Sequence, residues 1–130
     1  MIQAQIKNRL LAATLAILPD AETKCILVRP CSDPTHGDYQ SNALISLAKQ
    51  RQMNPRQLAE EIVAKLDVSD WCEPVEIAGP GFLNFRLQPD AVNNALNVAL
   101  ASESPFINKA TKPRTVVIDF SSPNVAKPMH

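Results

Sequence analysis

Two stretches of this chain bring together residue types that could do chemistry. Residues 121–130 read Ser-Ser-Pro-Asn-Val-Ala-Lys-Pro-Met-His. Ser122 and Asn124 offer a hydroxyl and a carboxamide, groups able to orient an amino acid's ammonium and carboxylate. Lys127 is a compact positive charge suited to a phosphate. Just ahead, Asp119 supplies a carboxylate that can grip a guanidinium through two parallel hydrogen bonds. Turn chemistry competes with this reading, because Ser-Pro-Asn is also an ordinary turn and Lys127 an ordinary solvated lysine. The second stretch is Phe82, Asn84 and Arg86, which alternate along one run. An aromatic and an amide two residues apart on one strand face can stack on an unpaired base and hydrogen-bond its edge, with an arginine beside them for phosphate. The competing reading puts Phe82 in the core, where large aromatics usually pack. Alternation favours recognition, since it already assigns Leu83, Phe85 and Leu87 to the buried face.

Secondary structure must position both groups. Residues 116–120, Val-Val-Ile-Asp-Phe, are β-branched and apolar and predict a buried strand. A strand running into a Ser-Pro-Asn loop is where open α/β sheets place ligands. No helix follows within the chain to cover it or to offer an N-terminus to a phosphate. Earlier, Ile2, Ile6, Leu10, Ala13 and Ile17 share a face of a first helix that Pro19 closes. Residues 25–28 predict a short strand, and residues 29–39, with two prolines, a glycine and two aspartates, predict a loop. Within it, Asp38 is expected to bond nearby backbone amides and His36 to lie on the surface. Ser41 or Asn42 caps a second helix with inner face Ala43, Leu44, Leu47 and Ala48. Asn54 and Pro55 start a third, with Leu58, Ala59, Ile62, Val63 and Leu66 as its stripe. Lys49, Arg51 and Arg56 form either a basic patch for a polynucleotide backbone or a solvated helix face. Residues 75–78 and 82–87 predict strands about the turn Gly79-Pro80-Gly81. A last helix opens at Pro89, with Val92, Leu96, Ala99 and Leu100 facing inward. The expected fold is α+β, a small antiparallel sheet packed against helices.

Composition narrows the function classes. Thirteen basic and thirteen acidic residues cancel, so any nucleic-acid contact must come from local clustering. Three cysteines, Cys25, Cys31 and Cys72, have no metal-ligand spacing and an odd count, so neither a disulfide framework nor a metal site is expected. The N-terminus lacks a secretion signal, and no apolar run approaches the roughly 20 residues of a membrane span. A cytoplasmic location is expected, with no membrane partner.

Ser122, Pro123, Asn124, Ala126, Lys127, Pro128 and His130 match, as they stand, the start of the nucleotide-binding signature of class I aminoacyl-tRNA synthetases. The form resembled is Ser-Pro-Asn-x-Ala-Lys-Pro-x-His-x-Gly-His of arginyl-tRNA synthetases, with Val125 and Met129 at its variable positions. Two further blocks resemble that family's N-terminal domain. One is His-Gly-Asp-Tyr-Gln-Ser-Asn at residues 36–42, and the other Ile-Ala-Gly-Pro-Gly-Phe-Leu-Asn-Phe at residues 77–85. The signature's Gly and second His fall past position 130, so the resemblance implies an N-terminal piece of a longer enzyme. Residues 1–108 would be a tRNA-recognition domain, and residues 109–130 a linker with the first strand and signature loop of the catalytic fold.

The resemblance also assigns roles. His130 and Lys127 would act at the ATP phosphates as pyrophosphate leaves. Asp119, Ser122 and Asn124 would line the arginine pocket, and Pro123, Val125, Ala126, Pro128 and Met129 would complete the arginine and ATP site. Phe82 and Asn84 would contact a D-loop base at the tRNA elbow, with Arg86 beside them. The parent would be a monomeric arginine–tRNA ligase using tRNA(Arg), arginine and ATP escorted by magnesium. The piece itself would bind no cofactor and be inactive alone. A rival expectation is a free-standing RNA-binding module, separated by whether the reading frame continues past His130 with Val or Ile, Gly and His.

Overall fold

The computed structural model describes residues 2–102 and 110–119. Helix α1 spans Ile2–Ile17 and buries Ile6, Leu10, Ala13 and Thr14. The Thr14 hydroxyl is satisfied inside the helix, donating to the Leu10 carbonyl at 2.7 Å. Residues 25–28 do not form the expected strand. Thr23–Cys25 is a short 3-10 turn, and the strand comes later, as β1 at Arg29–Pro30. Proline cannot donate to a ladder, so it is tolerated there because β1 lies at the sheet edge.

The expected loop over residues 29–39 therefore carries more structure than its turn residues announce. Asp33 caps a second 3-10 turn, Pro34–His36, by accepting from the Thr35 amide at 2.9 Å. His36 is exposed, as expected. Gly37 then passes against β4 with φ of 100°, and a Cβ there would lie 2.8 Å from the Phe85 carbonyl oxygen. Strand β2, Tyr39–Ser41, follows directly.

Helix α2, Ala43–Gln50, buries Ala43, Leu44, Leu47 and Ala48, the face its spacing predicts. Its N-cap residue Asn42 makes no side-chain cap bond. Helix α3, Pro55–Val63, starts as expected: Asn54 accepts from the Arg56 and Gln57 amides at 2.9 and 3.3 Å. Strands β3, Glu76–Ala78, and β4, Phe82–Phe85, flank the glycine turn. Gly81 has φ of 130°, and a Cβ there would meet the Pro55 carbonyl at 3.0 Å, so the turn seats closely on the start of α3.

The four strands order as β1-β2-β4-β3, with every neighbouring pair antiparallel. Leu83 and Phe85 project from β4 into one core with Ile6, Leu10, Leu44, Leu47, Leu58 and Ile62. Helix α3 packs on α1 and α2, α2 touches β4 and α3 touches β3. The α+β expectation holds.

Two further expectations fail. Helix α4, Pro89–Leu100, buries Ala91 and Ala99, whereas Val92, Leu96 and Leu100 are exposed. Its contact stripe is turned by about one residue from the apolar one, so small side chains meet the domain and large ones face away. Val116, Val117 and Ile118 are 73%, 89% and 69% exposed and form no strand, and Asp119 is exposed beside them. High β-propensity makes no strand without a partner, and no described residue pairs with this segment. Phe120 and the signature residues Ser122, Pro123, Asn124, Val125, Ala126, Lys127, Pro128, Met129 and His130 lie outside the described residues.

Candidate nucleic-acid interface

Of the two chemistry-bearing groups, the described residues contain Phe82, Asn84, Arg86 and Asp119. The first three come from β4 and its continuation. Strand alternation sends Leu83 and Phe85 to the core, each with no exposed surface, and turns Phe82, Asn84 and Arg86 to the opposite face. Phe82 is half-buried and Arg86 exposed.

Asn84 departs from the expected open position, since only 3% of it is exposed. The cause is its place on an interior strand. Gln40 of β2 and Glu76 of β3 stand opposite it on either side, and Phe82 and Arg86 flank it along the strand. The Gln40 Nε2 donates to the Asn84 Oδ1 at 2.8 Å. The Asn84 Nδ2 is buried and has no hydrogen-bond partner among the described residues. Most buried polar groups find a partner, so an orphaned N–H₂ donor on a sheet face marks a place where an acceptor from outside would be welcome.

Arg86 is tied into the domain. Its Nη2 donates to the Thr35 carbonyl at 3.0 Å, and its Nε lies 4.0 Å from a Glu73 carboxylate oxygen. Its charge is thus partly engaged. Arg29, opposite Gln40 on β1, is exposed and has no ion pair among the described residues. It lines a shallow hollow with Leu27, Cys31, Gln40 and Asn42 at the same side of the sheet. Sequence reasoning missed Arg29 and Gln40 because residues 29–39 read as a loop and Ser41 or Asn42 as a helix cap, which leaves no room for either strand. The alternation of Gln40 between Tyr39 and Ser41 was the available signal, too short to stand against the surrounding turn residues.

The Gly-Asp block performs the structural work expected of it. Asp38 accepts from the Leu87 amide at 2.7 Å through Oδ2, while its own amide donates to the Phe85 carbonyl at 2.8 Å. These bonds fix the end of β4 and so the direction of Arg86. Of the basic helix residues, Arg51 pairs with Asp20 at 2.8 Å, which holds the Asp20 carboxyl below its ordinary range. Arg56 pairs with Glu60 at 3.4 Å and donates to the Gly79 carbonyl at 3.2 Å. The Lys49, Arg51 and Arg56 stretch is therefore mostly a solvated, internally paired face.

Cys25, Cys31 and Cys72 are free thiols. Burial pushes the Cys72 thiol up to about 11, away from thiolate chemistry. No group of three or more potential metal ligands gathers among the described residues. None of the described helices is long and apolar enough to cross a membrane.

The antiparallel sheet thus has its helices on the core side and, on the other, an aromatic, an orphaned amide, the partly engaged Arg86 and Arg29, which has no ion pair among the described residues, groups whose chemistry suits stacking on and hydrogen bonding to a base. Comparison with known proteins gives the family. Residues 1–87 match the arginyl tRNA synthetase N terminal domain, and residues 95–130 match the class I (R) tRNA synthetase catalytic domain. The chain belongs to the arginyl-tRNA synthetase N-terminal domain family. The arginine–tRNA ligase of Thermosynechococcus vestitus is 53% identical over 124 residues, covering 95% of this chain and 21% of that protein. The ligase of Laribacter hongkongensis is 41% identical over 126 residues, covering 96% of this chain and 22% of that protein. The chain thus spans about a fifth of the length of the curated relatives it matches. The fold is shared with the arginyl-tRNA synthetase of Thermus thermophilus, at a TM-score of 0.64 and 24% identity over 85% of this chain and 17% of that one.

Proposed function

We infer that this chain is the N-terminal part of an arginine–tRNA ligase and that its sheet face holds tRNA(Arg) at the elbow. The observation that carries the reading is Phe82 beside Asn84 on the face turned away from the core, with the Asn84 N–H₂ lacking any protein acceptor. A half-buried aromatic gives an unpaired D-loop base a surface to stack on, and the amide gives its edge a donor. Arg29 and Arg86 lie on the same side for the phosphates.

The parent reaction is activation of arginine by ATP, forming arginyl adenylate and releasing pyrophosphate, followed by transfer of arginine to the tRNA 3′ end. ATP, escorted by magnesium, is a substrate of that reaction. In this reading Asp119, Ser122 and Asn124 serve the arginine, Lys127 and His130 the phosphates, and the stretch from 109 onward belongs to the catalytic part. The parent is a cytoplasmic monomer. Residues 1–130 alone lack most of a nucleotide-binding fold and do not catalyse either step.

The test is kinetic, on the full-length enzyme. Phe82→Ala should remove a stacking contact of about 1–3 kcal/mol, raising KM for tRNA about fivefold to a hundredfold while KM for ATP and arginine stays near wild type. A sharp fall in melting temperature with tRNA KM unchanged at permissive temperature would show that Phe82 only packs the domain. Arginine-dependent exchange of pyrophosphate into ATP by the 130-residue chain alone would overturn the division of labour.

A further inference from the structure

Three strand pairings put four polar residues in one line across the sheet: Arg29 opposite Gln40, Gln40 opposite Asn84, and Asn84 opposite Glu76. Within that line the Asn84 amide is used asymmetrically. Its Oδ1 is consumed by the Gln40 Nε2 at 2.8 Å, while its Nδ2 is buried with no partner. Glu76, the neighbour on the other side, is exposed and gives the amide no acceptor. An asparagine free to rotate would present either a donor or an acceptor, because its two ends are almost the same shape. Here the glutamine removes that choice.

We propose that Gln40 is a positioning residue which, by occupying the Asn84 carbonyl, fixes that amide with its N–H₂ toward the ligand and so restricts the site to base edges presenting a carbonyl oxygen or an unprotonated ring nitrogen. The inference rests on the tRNA reading of Phe82 and Asn84. Gln40 itself is half-buried and joins the side of the sheet that holds the hollow beside Arg29. It therefore acts at the rim of the base site and through Asn84, without being the group that reads the base. The arrangement also gives a reason for leaving a buried donor unsatisfied, since pre-setting the amide spares the bound state the cost of ordering it. A ligand without an acceptor at that point would meet an N–H₂ it could not satisfy, and such mismatches discriminate strongly.

The experiment is a double-mutant cycle in the full-length enzyme, with unmodified tRNA(Arg) transcript as probe and aminoacylation KM, kcat and melting temperature as readouts. Gln40→Leu frees the Asn84 amide to turn, and should raise KM for tRNA by about five- to tenfold with kcat little changed and a modest fall in melting temperature, because the Asn84 carbonyl loses its partner as well. In an Asn84→Ala background the same Gln40→Leu change should add nothing, because its effect runs through the amide. Gln40→Glu is the second arm. Its carboxylate can only accept, so it draws the Asn84 N–H₂ to itself and turns the carbonyl outward, and tRNA binding should weaken at least as much as in Asn84→Ala. Additive effects of Gln40→Leu and Asn84→Ala, or wild-type tRNA KM in Gln40→Glu, would overturn the positioning role. If Phe82→Ala and Asn84→Ala raise KM for tRNA while Gln40→Leu does not, the positioning role alone falls. If none of the three raises it, the tRNA reading falls as well.

Discussion

A buried amide donor with no partner costs a domain about 1–3 kcal/mol, a sizeable part of the net stability of a fold this small. Asn84 bears that cost on an interior strand, where Gln40 settles which end of the amide is free. Other residues near it are fixed for geometry alone. Gly37 holds φ of 100° with its α-carbon against the Phe85 carbonyl, so both its backbone angle and its lack of a side chain are required. Gly37→Ala should destabilise by about 2 kcal/mol or more, read as a lower midpoint in urea with an unchanged slope. Cys72 yields a prediction in pH. Burial raises its thiol from 9.0 to about 11 in the folded state. The unfolded chain therefore releases this proton near pH 9 and the folded chain near pH 11, so the folded state binds more protons in that window. Stability should be indifferent to this group below about pH 9 and fall by up to roughly 2 kcal/mol as the pH climbs toward 11. Cys72→Ala should flatten that part of the urea midpoint against pH curve, and an unaltered curve would contradict the assignment.

At the scale of elements, α1, α2, α3 and the hairpin of β3 and β4 were legible in the sequence because each carries its own local signal. Apolar spacing placed the helix faces, Asn54 with Pro55 started α3, and the glycine turn separated two alternating runs. Strands β1 and β2 were not legible. They are two and three residues long; β2 owes its identity to pairing with β4 across more than forty positions of chain, as with Tyr39 opposite Phe85, and β1 exists only as the edge partner of β2. Local propensity cannot report a partner that distant. The same limit explains residues 116–119, whose apolar run lacks any described strand to join. Helix α4 has the opposite fault: its periodicity is real, but the domain meets it through Ala91 and Ala99. Replacing exposed Val98 and Leu100 by Ser in the 130-residue chain should therefore shift stability by no more than about 0.5 kcal/mol. Leu44→Ala, in the fully buried face of α2, should cost about 2–5 kcal/mol. Comparable losses at the two sites, measured by urea denaturation, would show that α4 packs through its large side chains.

Taken whole, the molecule separates a packed side from the side proposed for recognition: helices and core lie on one face of the sheet, and Phe82, Asn84, Gln40, Arg29 and Arg86 lie on the other. Net charge is zero, so on the proposed reading attraction for tRNA comes from this local arrangement and not from a global basic field. The sequence alone pointed to Phe82 and Asn84, but not to the partner that orients the amide, because that partner sits on the strand it hid. The most direct measurement is a titration of isotope-labelled 130-residue chain with tRNA(Arg) transcript, following backbone and side-chain amide signals. The account predicts the largest shifts at the backbone of Phe82, the side-chain N–H₂ of Asn84 and Gln40, and the Arg29 region, while α1 and α4 stay unmoved. Shifts centred on the Lys49 to Arg56 stretch or on α4, with the Asn84 side chain unchanged, would contradict it.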